Sequence, residues 1–254
     1  MKILIITQDD KFYLPGAIEF FLELIRGRHL VVGAVVTDVS PFGQRASFIA
    51  KAWRTLYTFG VRFFLQYSYR YIRHFVMREK SVSDLLREAG IPILKIKESL
   101  NSASSLKLIS ECQPDVIVSV AGNEIFRRPL IDLTEHGILN LHTALLPKYR
   151  GLMPTFWVIK NREVSTGVSV FLVDEGIDSG PIVSQKAVEI NGMSQAQLIG
   201  ITKRLGMEAM CEALDILSAG IVNFRDNDDS QKTYYSFPTK QDVSEFRKAG
   251  GRFY

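Results

Sequence analysis

Residues 115–142 read DVIVSVAGNEIFRRPLIDLTEHGILNLH, and this stretch decides the fold class. Two short runs within it, 115–121 and 137–142, are nearly continuous in apolar residues and rich in β-branched ones. Strands of that composition are typical of a parallel sheet that is covered on both faces. We therefore interpret both runs as buried strands of such a sheet.

The rest of the chain repeats this alternation of strand-like and helix-like segments. We predict further strands at 2–7, 30–38, 91–96, 166–173 and 182–190, and helices at 14–28, 103–113 and 194–219. Ser194 is the expected N-cap of the last helix, which ends before Gly220. The sequence thus predicts an α/β fold with a doubly wound, mostly parallel, Rossmann-like sheet and helices on both faces.

Two segments depart from this alternation. We predict a main domain over residues 1–220 with a helical insertion at about 44–80, and a short C-terminal extension over 221–254. Residues 47–80 are crowded with aromatic and basic side chains. We expect an inserted helical pair that packs on the domain or across a homodimer interface. A substrate-binding flap, or a basic aromatic surface for membrane or nucleic acid, are the alternatives.

Bulk properties restrict the protein class. The 254 residues carry a net charge of +4, which suits anionic small substrates and does not require nucleic acid. Cys112 and Cys211 have no neighbouring cysteine, so we expect free thiols in a cytoplasmic protein, with a single bridge as the alternative. The N-terminal apolar run is too short for a signal peptide, and we expect no transmembrane segment and no metal site.

Three polar residues are candidates for chemistry. Asn140 and His142 are two positions apart at the end of a strand, so both project from one face, while Asp178 lies in the glycine-containing loop EGIDSGP. An imidazole can move a proton near neutral pH, a carboxylate can orient it, and an amide can donate to a developing oxyanion. Taken singly, a histidine at a strand end is typical of a polar residue whose hydrogen bonds are made within the protein, and an aspartate beside glycines is typical of a turn. Together they suit the transfer of an acyl group to an amine.

These residues belong to a longer composite motif. The chain contains NLH at 140–142, LLP at 145–147, YRG at 149–151, TGV at 166–168 and DSGP at 178–181, with Gln185 beyond. In order and spacing this series resembles the folate-dependent formyltransferase family, which includes enzymes acting on methionyl-tRNA, glycinamide ribonucleotide and nucleotide sugars. The resemblance extends over roughly residues 1–220, which are thus expected to form the catalytic domain.

The resemblance implies a donor and a division of roles. The co-substrate would be 10-formyltetrahydrofolate, without a metal. Asn140 and His142 would polarise the formyl oxygen, and Asp178 would tune His142 and assist proton removal. The residues expected to bind the folate are Ala121, Gly122, Asn123, Glu124, Ile125, Asp174, Glu175, Gly176 and Ile177. Those expected to bind the acceptor are Gln8, Asp9, Asp10, Lys148, Tyr149 and Arg150.

Two departures from the family's sequence pattern reduce the range of possible acceptor amines. The loop at 8–11, QDDK, lacks the glycines that would hold a phosphate, which disfavours glycinamide ribonucleotide. Residues 221–254 are too few for the five-stranded barrel of methionyl-tRNA formyltransferases. We therefore expect a primary amine on a nucleotide-linked sugar. The alternatives are a methionyl-tRNA formyltransferase-like enzyme and a formyltetrahydrofolate hydrolase, although hydrolases of this family carry an additional N-terminal domain.

Overall fold

A six-stranded sheet organises the protein, in a computed structural model that describes residues 1–39 and 47–254. The strand order is β2-β1-β3-β4-β6-β7. Neighbouring strands from β2 to β4 are parallel, whereas β6 is antiparallel to both of its neighbours, β4 and β7. The strands are β1 (Lys2–Gln8), β2 (Leu30–Thr37), β3 (Val116–Val120), β4 (Ile138–His142), β6 (Ser165–Leu172) and β7 (Ile182–Glu189). A two-stranded sheet pairs β5 (Arg150–Gly151) with β8 (Tyr234–Tyr235). The predicted fold class is confirmed.

The predicted strand at 91–96 is wrong. This segment forms a single bridge, between Ile93 and Ala34, on the outer edge of β2. Pro92 offers no N–H for a longer ladder, and the amide of Ile96 donates to the carbonyl of Leu94 within the segment itself. The chain therefore turns away from the sheet after one bridge, although its composition is strand-like.

Helices cover both faces of the sheet. They are α1 (Leu14–Ile25), α2 (Phe48–Val76), α3 (Val82–Glu88), α4 (Ala103–Glu111), α5 (Arg128–Ile131), α6 (Pro154–Lys160), α7 (Gln195–Ser218) and α8 (Lys240–Lys248). The predicted N-cap of α7 is present as a capping box, in which the Ser194 hydroxyl accepts from the Gln197 amide and the Gln197 side chain accepts from the Ser194 amide. Helix α7 packs on α1 and on the strands β4, β6 and β7.

Most of the insertion is helical: α2 covers Phe48–Val76, and 77–80 lie beyond its end. Residues 44–46, which the sequence assigns to it, lie outside the described residues. Helix α2 is broken at Gly60, whose backbone (φ 80°, ψ 172°) is far from helical. A positive φ is readily available only to glycine, so this residue makes the kink possible.

The C-terminal segment packs on the main domain through a shared aromatic core. Phe246 of α8 stacks on Phe156 of α6 with ring centroids 4.8 Å apart, and Phe253 lies 4.7 Å from Phe246. Phe59 of α2 meets the ring of Phe253 edge-on at 5.6 Å. The insertion and the C-terminal extension thus meet in one hydrophobic cluster beside the sheet.

Candidate active site

The candidate site begins at the carboxyl end of β4. Asn140 and His142 occupy alternate positions of this strand, so both side chains project from the same face. The side-chain amide of Asn140 has no hydrogen-bond partner among residues 1–39 and 47–254. Asn140 lines a cleft of about 430 Å³. An unengaged amide in a cleft is available to a ligand.

His142 is held in one orientation by the protein. Its Nε2 lies 2.7 Å from the backbone carbonyl of Tyr149, and its Nδ1 lies 3.5 Å from Oδ2 of Asp178. Because a carbonyl oxygen only accepts, Nε2 carries a proton. The neutral ring then presents a lone pair at Nδ1, and a ring that has gained a proton points the new N–H towards the carboxylate. The two contacts thus fix the orientation of the ring and the tautomer of its neutral form.

Asp178 is fixed by groups from three segments. Its backbone has a φ of 49°, and its Oδ2 accepts a 2.8 Å hydrogen bond from the Gly151 amide. The side chain of Asn227 donates at 2.9 Å to the carbonyl of Asp178 and at 2.9 Å to that of Gly180. The C-terminal segment thus supports the loop that carries the carboxylate, through a residue that the sequence analysis did not identify.

The cleft runs past these residues along the ends of β1, β3 and β4. The side chain of Gln8 donates to the carbonyl of Ala121 across its floor. Gly122 and Gly176 leave no space for a side chain, since an added Cβ would lie 2.7 Å from Ser119 Oγ and 2.0 Å from Ser179 Oγ. Of the residues predicted to bind folate or acceptor, those lining this cleft are Gln8, Ala121, Gly122, Glu124, Ile125, Asp174, Gly176 and Ile177.

Other predicted binding residues have partners outside the cleft. Asp10 binds the turn that leads into α1, because its Oδ1 accepts from the amides of Phe12, Tyr13 and Leu14 at 3.0, 2.6 and 3.1 Å. Asp9 pairs with a neighbouring lysine, Lys11.

Two predicted folate-binding residues also contact protein groups. Asn123 is buried and donates to the carbonyl of Asp38 at 2.8 Å. Glu175 lies 3.4 Å from Nε of Arg128.

The predicted acceptor residues at 148–150 lie beside the site instead of in it. Lys148 is exposed. The hydroxyl of Tyr149 donates to Glu163 at 2.5 Å. Burial is the larger cause, and this hydrogen bond the second, of a pKa of the hydroxyl above its ordinary value. Arg150 is buried and pairs with Asp229 at 2.7 Å. In this arrangement the contribution of Tyr149 to the site is its backbone carbonyl.

Helix α7 adds polar residues that the sequence analysis missed. Gln195, Thr202 and Lys203 line the cleft together with Ile199. Burial lowers the pKa of the Lys203 ammonium, and the charge of Asp10 acts in the opposite direction. The signal was available: these polar side chains recur at helical spacing on the apolar side of an otherwise amphipathic helix.

Residues 1–39 and 47–254 contain neither a candidate metal site nor a candidate membrane span. Within them, His, Cys, Asp and Glu side chains form no group of three or more that could hold a metal ion. Likewise, no helix there is long and apolar enough to cross a bilayer.

The fold and cleft place this chain among α/β proteins that bind ligands beyond the carboxyl ends of parallel strands. The chain belongs to the formyl transferase family, whose model matches residues 70–214.

A sequence relative matches in the same region. Methionyl-tRNA formyltransferase of Kosmotoga olearia is 37% identical over 166 residues, which cover 64% of this chain and 52% of the relative. This chain therefore spans about half the length of the curated relatives it matches.

Solved structures share the fold at low identity. An N-formyltransferase from Helicobacter canadensis, crystallised with folinic acid and dTDP-3-aminofucose, has a TM-score of 0.61 at 16% identity, covering 98% of this chain and 80% of its own. Glycinamide ribonucleotide transformylase 1 from Symbiobacterium toebii has a TM-score of 0.62 at 18% identity, covering 90% and 94%.

Proposed function

We propose that this chain is an N-formyltransferase that moves a formyl group from 10-formyltetrahydrofolate to a primary amine. The observation that carries the proposal is the meeting of Asn140, His142 and Asp178 at one cleft. Membership of the formyl transferase family supports the reaction class.

The cleft fits the folate co-substrate. Its volume of about 430 Å³ is ordinary for a site that holds a small molecule. The backbone at 121–125 and 174–177 would hold the pteridine, because its glycines let main-chain donors and acceptors approach a flat ring. When bound, the folate supplies the formyl carbon that is transferred.

The chain's own residues suit the two demands of the transfer. Asn140 has a free amide N–H that can donate to an oxygen on which negative charge develops. His142 can accept the proton of the attacking amine at Nδ1, since Nε2 is committed to the Tyr149 carbonyl. Asp178, 3.5 Å from Nδ1, stabilises the charged ring. The amine itself attacks the formyl carbon, so no nucleophilic side chain is required. The bond between that carbon and N10 of the folate would then break, and the proton lost by the amine would be returned to N10 as tetrahydrofolate leaves.

We propose an amino sugar linked to a nucleotide as the acceptor. The Asp10 carboxylate already accepts from the first amide of α1 and from the two amides before it, so a phosphate would have to displace an internal anion there. This disfavours a glycinamide ribonucleotide acceptor. The Helicobacter canadensis structure, which holds an amino sugar linked to dTDP, matches 98% of this chain, including the region after α7.

Methionyl-tRNA is the second candidate acceptor. The 37% identity to the Kosmotoga olearia enzyme favours it, although that match covers 52% of the relative. A formyltetrahydrofolate hydrolase is the third alternative, and it differs in requiring no acceptor at all.

The test is release of tetrahydrofolate from 10-formyltetrahydrofolate. The purified protein is assayed without acceptor, then with UDP- and dTDP-linked amino sugars, then with charged initiator tRNA. We expect release only with an amino sugar and a formylated sugar by mass spectrometry. Release with tRNA alone would transfer the assignment to the second candidate, and release without acceptor would establish the hydrolase.

Variants locate the chemistry. His142→Ala should lower turnover by about 10²- to 10⁴-fold and Asn140→Ala by about 10²- to 10³-fold. The matched control is His136→Ala, because His136 precedes β4 and lies at the opposite end of that strand. A His142→Ala protein that keeps wild-type turnover would refute the proposed mechanism.

A further inference from the structure

Helix α2 is fixed to the domain by one face only. Phe59 and Phe63 stack with centroids 4.7 Å apart, and Phe63 meets Phe253 at 4.9 Å. Two turns further, Arg70 donates to the hydroxyl of Tyr13 at 3.0 Å. These contacts hold the helix along its length and determine which side faces outward.

The outward side of α2 is apolar. At about 100° per residue, positions spaced by three or four residues recur on one side of a helix. The exposed apolar residues follow this spacing on each side of the Gly60 kink, and they are between 60% and 74% exposed: Ile49, Trp53, Tyr57, Val61, Leu65, Tyr69, Ile72 and Val76. We call these eight residues the outer ridge. So many adjacent apolar side chains in contact with water indicate an interaction surface.

The charge carried by α2 itself is of one sign, while Arg73 near its end lies 3.5 Å from the carboxylate of Glu79, just beyond the helix. Residues 47–78 contain no Asp or Glu, but contain Lys51, Arg54, Arg62, Arg70, Arg73 and Arg78. Arg62 and Arg73 are exposed and lie one position from ridge residues. Two copies of this surface facing each other would bring like charges together. The complementary partner is therefore anionic.

We propose that the outer ridge docks on the surface of an anionic lipid bilayer. Exposed aliphatic residues such as Leu65 and Ile72 gain from burial among acyl chains, whereas a nucleic acid offers them little. Flanking arginines can keep their charges at the headgroups while their stems cover apolar surface. A helix that packs on its own domain by one side and exposes such a ridge on the other lies along the membrane interface instead of crossing the bilayer.

The experiment uses the intact protein with phospholipid vesicles. Of its two tryptophans, Trp53 is 65% exposed on the ridge and Trp157 is buried at 6%. Vesicles of phosphatidylcholine with about 40% phosphatidylglycerol should shift the Trp53 emission to the blue and sediment the protein. Neutral phosphatidylcholine vesicles should do neither, and Trp53→Phe should abolish the shift.

Paired variants separate apolar from electrostatic contributions. Leu65→Gln with Ile72→Gln should weaken partitioning by roughly 10-fold or more. Arg62→Gln with Arg73→Gln should weaken it by roughly 30-fold at low salt, and raised salt should mimic this effect. The matched control is Val164→Gln with Val222→Gln, which are 78% and 80% exposed away from α2 and should change nothing.

Three results would overturn the proposal. One is the absence of binding to anionic vesicles by the wild-type protein. The second is equal loss of binding in the control pair. The third is a ridge that serves another partner: in sedimentation or RNA gel-shift measurements, the Leu65 and Ile72 variants would lose self-association or RNA binding while vesicle binding is unchanged. Circular dichroism and thermal unfolding confirm that each variant is folded.

Discussion

Gly206 of α7 packs against Leu141 of β4, the strand that carries two residues of the candidate site. A Cβ at this position would lie 2.5 Å from Cδ2 and 2.8 Å from Cδ1 of Leu141. The side chain of Leu141 is buried, and in the sequence Leu141 stands between Asn140 and His142. Gly206→Ala therefore requires a shift of α7 or of the Leu141 side chain, and we expect losses of both stability and turnover.

The size of the effect follows from two opposing contributions. Alanine favours a helix interior over glycine by up to about 1 kcal/mol. Overpacking a closed core costs about 1 to 3 kcal/mol. With the full helix gain subtracted, we expect the unfolding free energy of Gly206→Ala to fall by up to about 2 kcal/mol. Because strand β4 carries Asn140 and His142, a small displacement should also lower kcat by about 10-fold or more.

The assay is urea unfolding with the midpoint and slope determined for each variant, together with kcat. Gly200→Ala is the matched control, since Gly200 is exposed on the same helix and its added Cβ meets nothing within 4 Å. That control should be stabilised by up to about 1 kcal/mol.

A double-mutant cycle tests the packing argument directly. Leu141→Ala alone should cost about 2 to 5 kcal/mol through the cavity it leaves. In that background the clash is gone, so Gly206→Ala should become stabilising. If Gly206→Ala destabilises the protein equally in both backgrounds, contact with Leu141 is not the cause and the reasoning is refuted.

Three further changes test other parts of the structure. Lys203→Met should stabilise the protein at neutral pH, because a lowered folded-state pKa means that the folded protein binds fewer protons than the unfolded chain. The gain, followed by denaturation at several pH values, should fade as pH rises towards about 10.4. Arg150→Met should cost about 1 to 3 kcal/mol in urea unfolding, because it removes the buried hydrogen bonds from Arg150 to the carbonyl and side chain of Asn227. Phe246→Ala should cost about 3 to 5 kcal/mol within a single unfolding transition, whereas two separate transitions would indicate an independent C-terminal unit.

Local sequence pattern was sufficient for most of the sheet and for three residues at the cleft. The strands β1, β3 and β4 are buried along their whole apolar runs, so composition alone locates them. Asn140, His142 and Asp178 were identified because they stand at the end of a strand and in a glycine loop, and all three line the cleft.

Long-range contacts account for what the sequence did not predict. Whether 91–96 extends the sheet depends on hydrogen bonds with β2 that the segment itself does not specify. Asp10 could equally bind a ligand or its own helix, and the structure shows the latter. Asn227 supports the loop of Asp178 from 49 positions further along the chain, a distance at which no local pattern carries information.

The β5–β8 pair has a consequence for redesign by segment exchange. The amide of Gly151 holds Asp178, while the neighbouring Leu152 amide donates to the carbonyl of Tyr235 at 2.8 Å. Gly151 also has no space for a side chain, because an added Cβ would lie 2.2 Å from that same carbonyl. A chimera that replaced residues 221–254 would have to supply a matching two-residue strand and an equivalent of Asn227. A replacement segment without these contacts would misplace the Asp178 carboxylate, whatever acceptor the chimera was designed to bind.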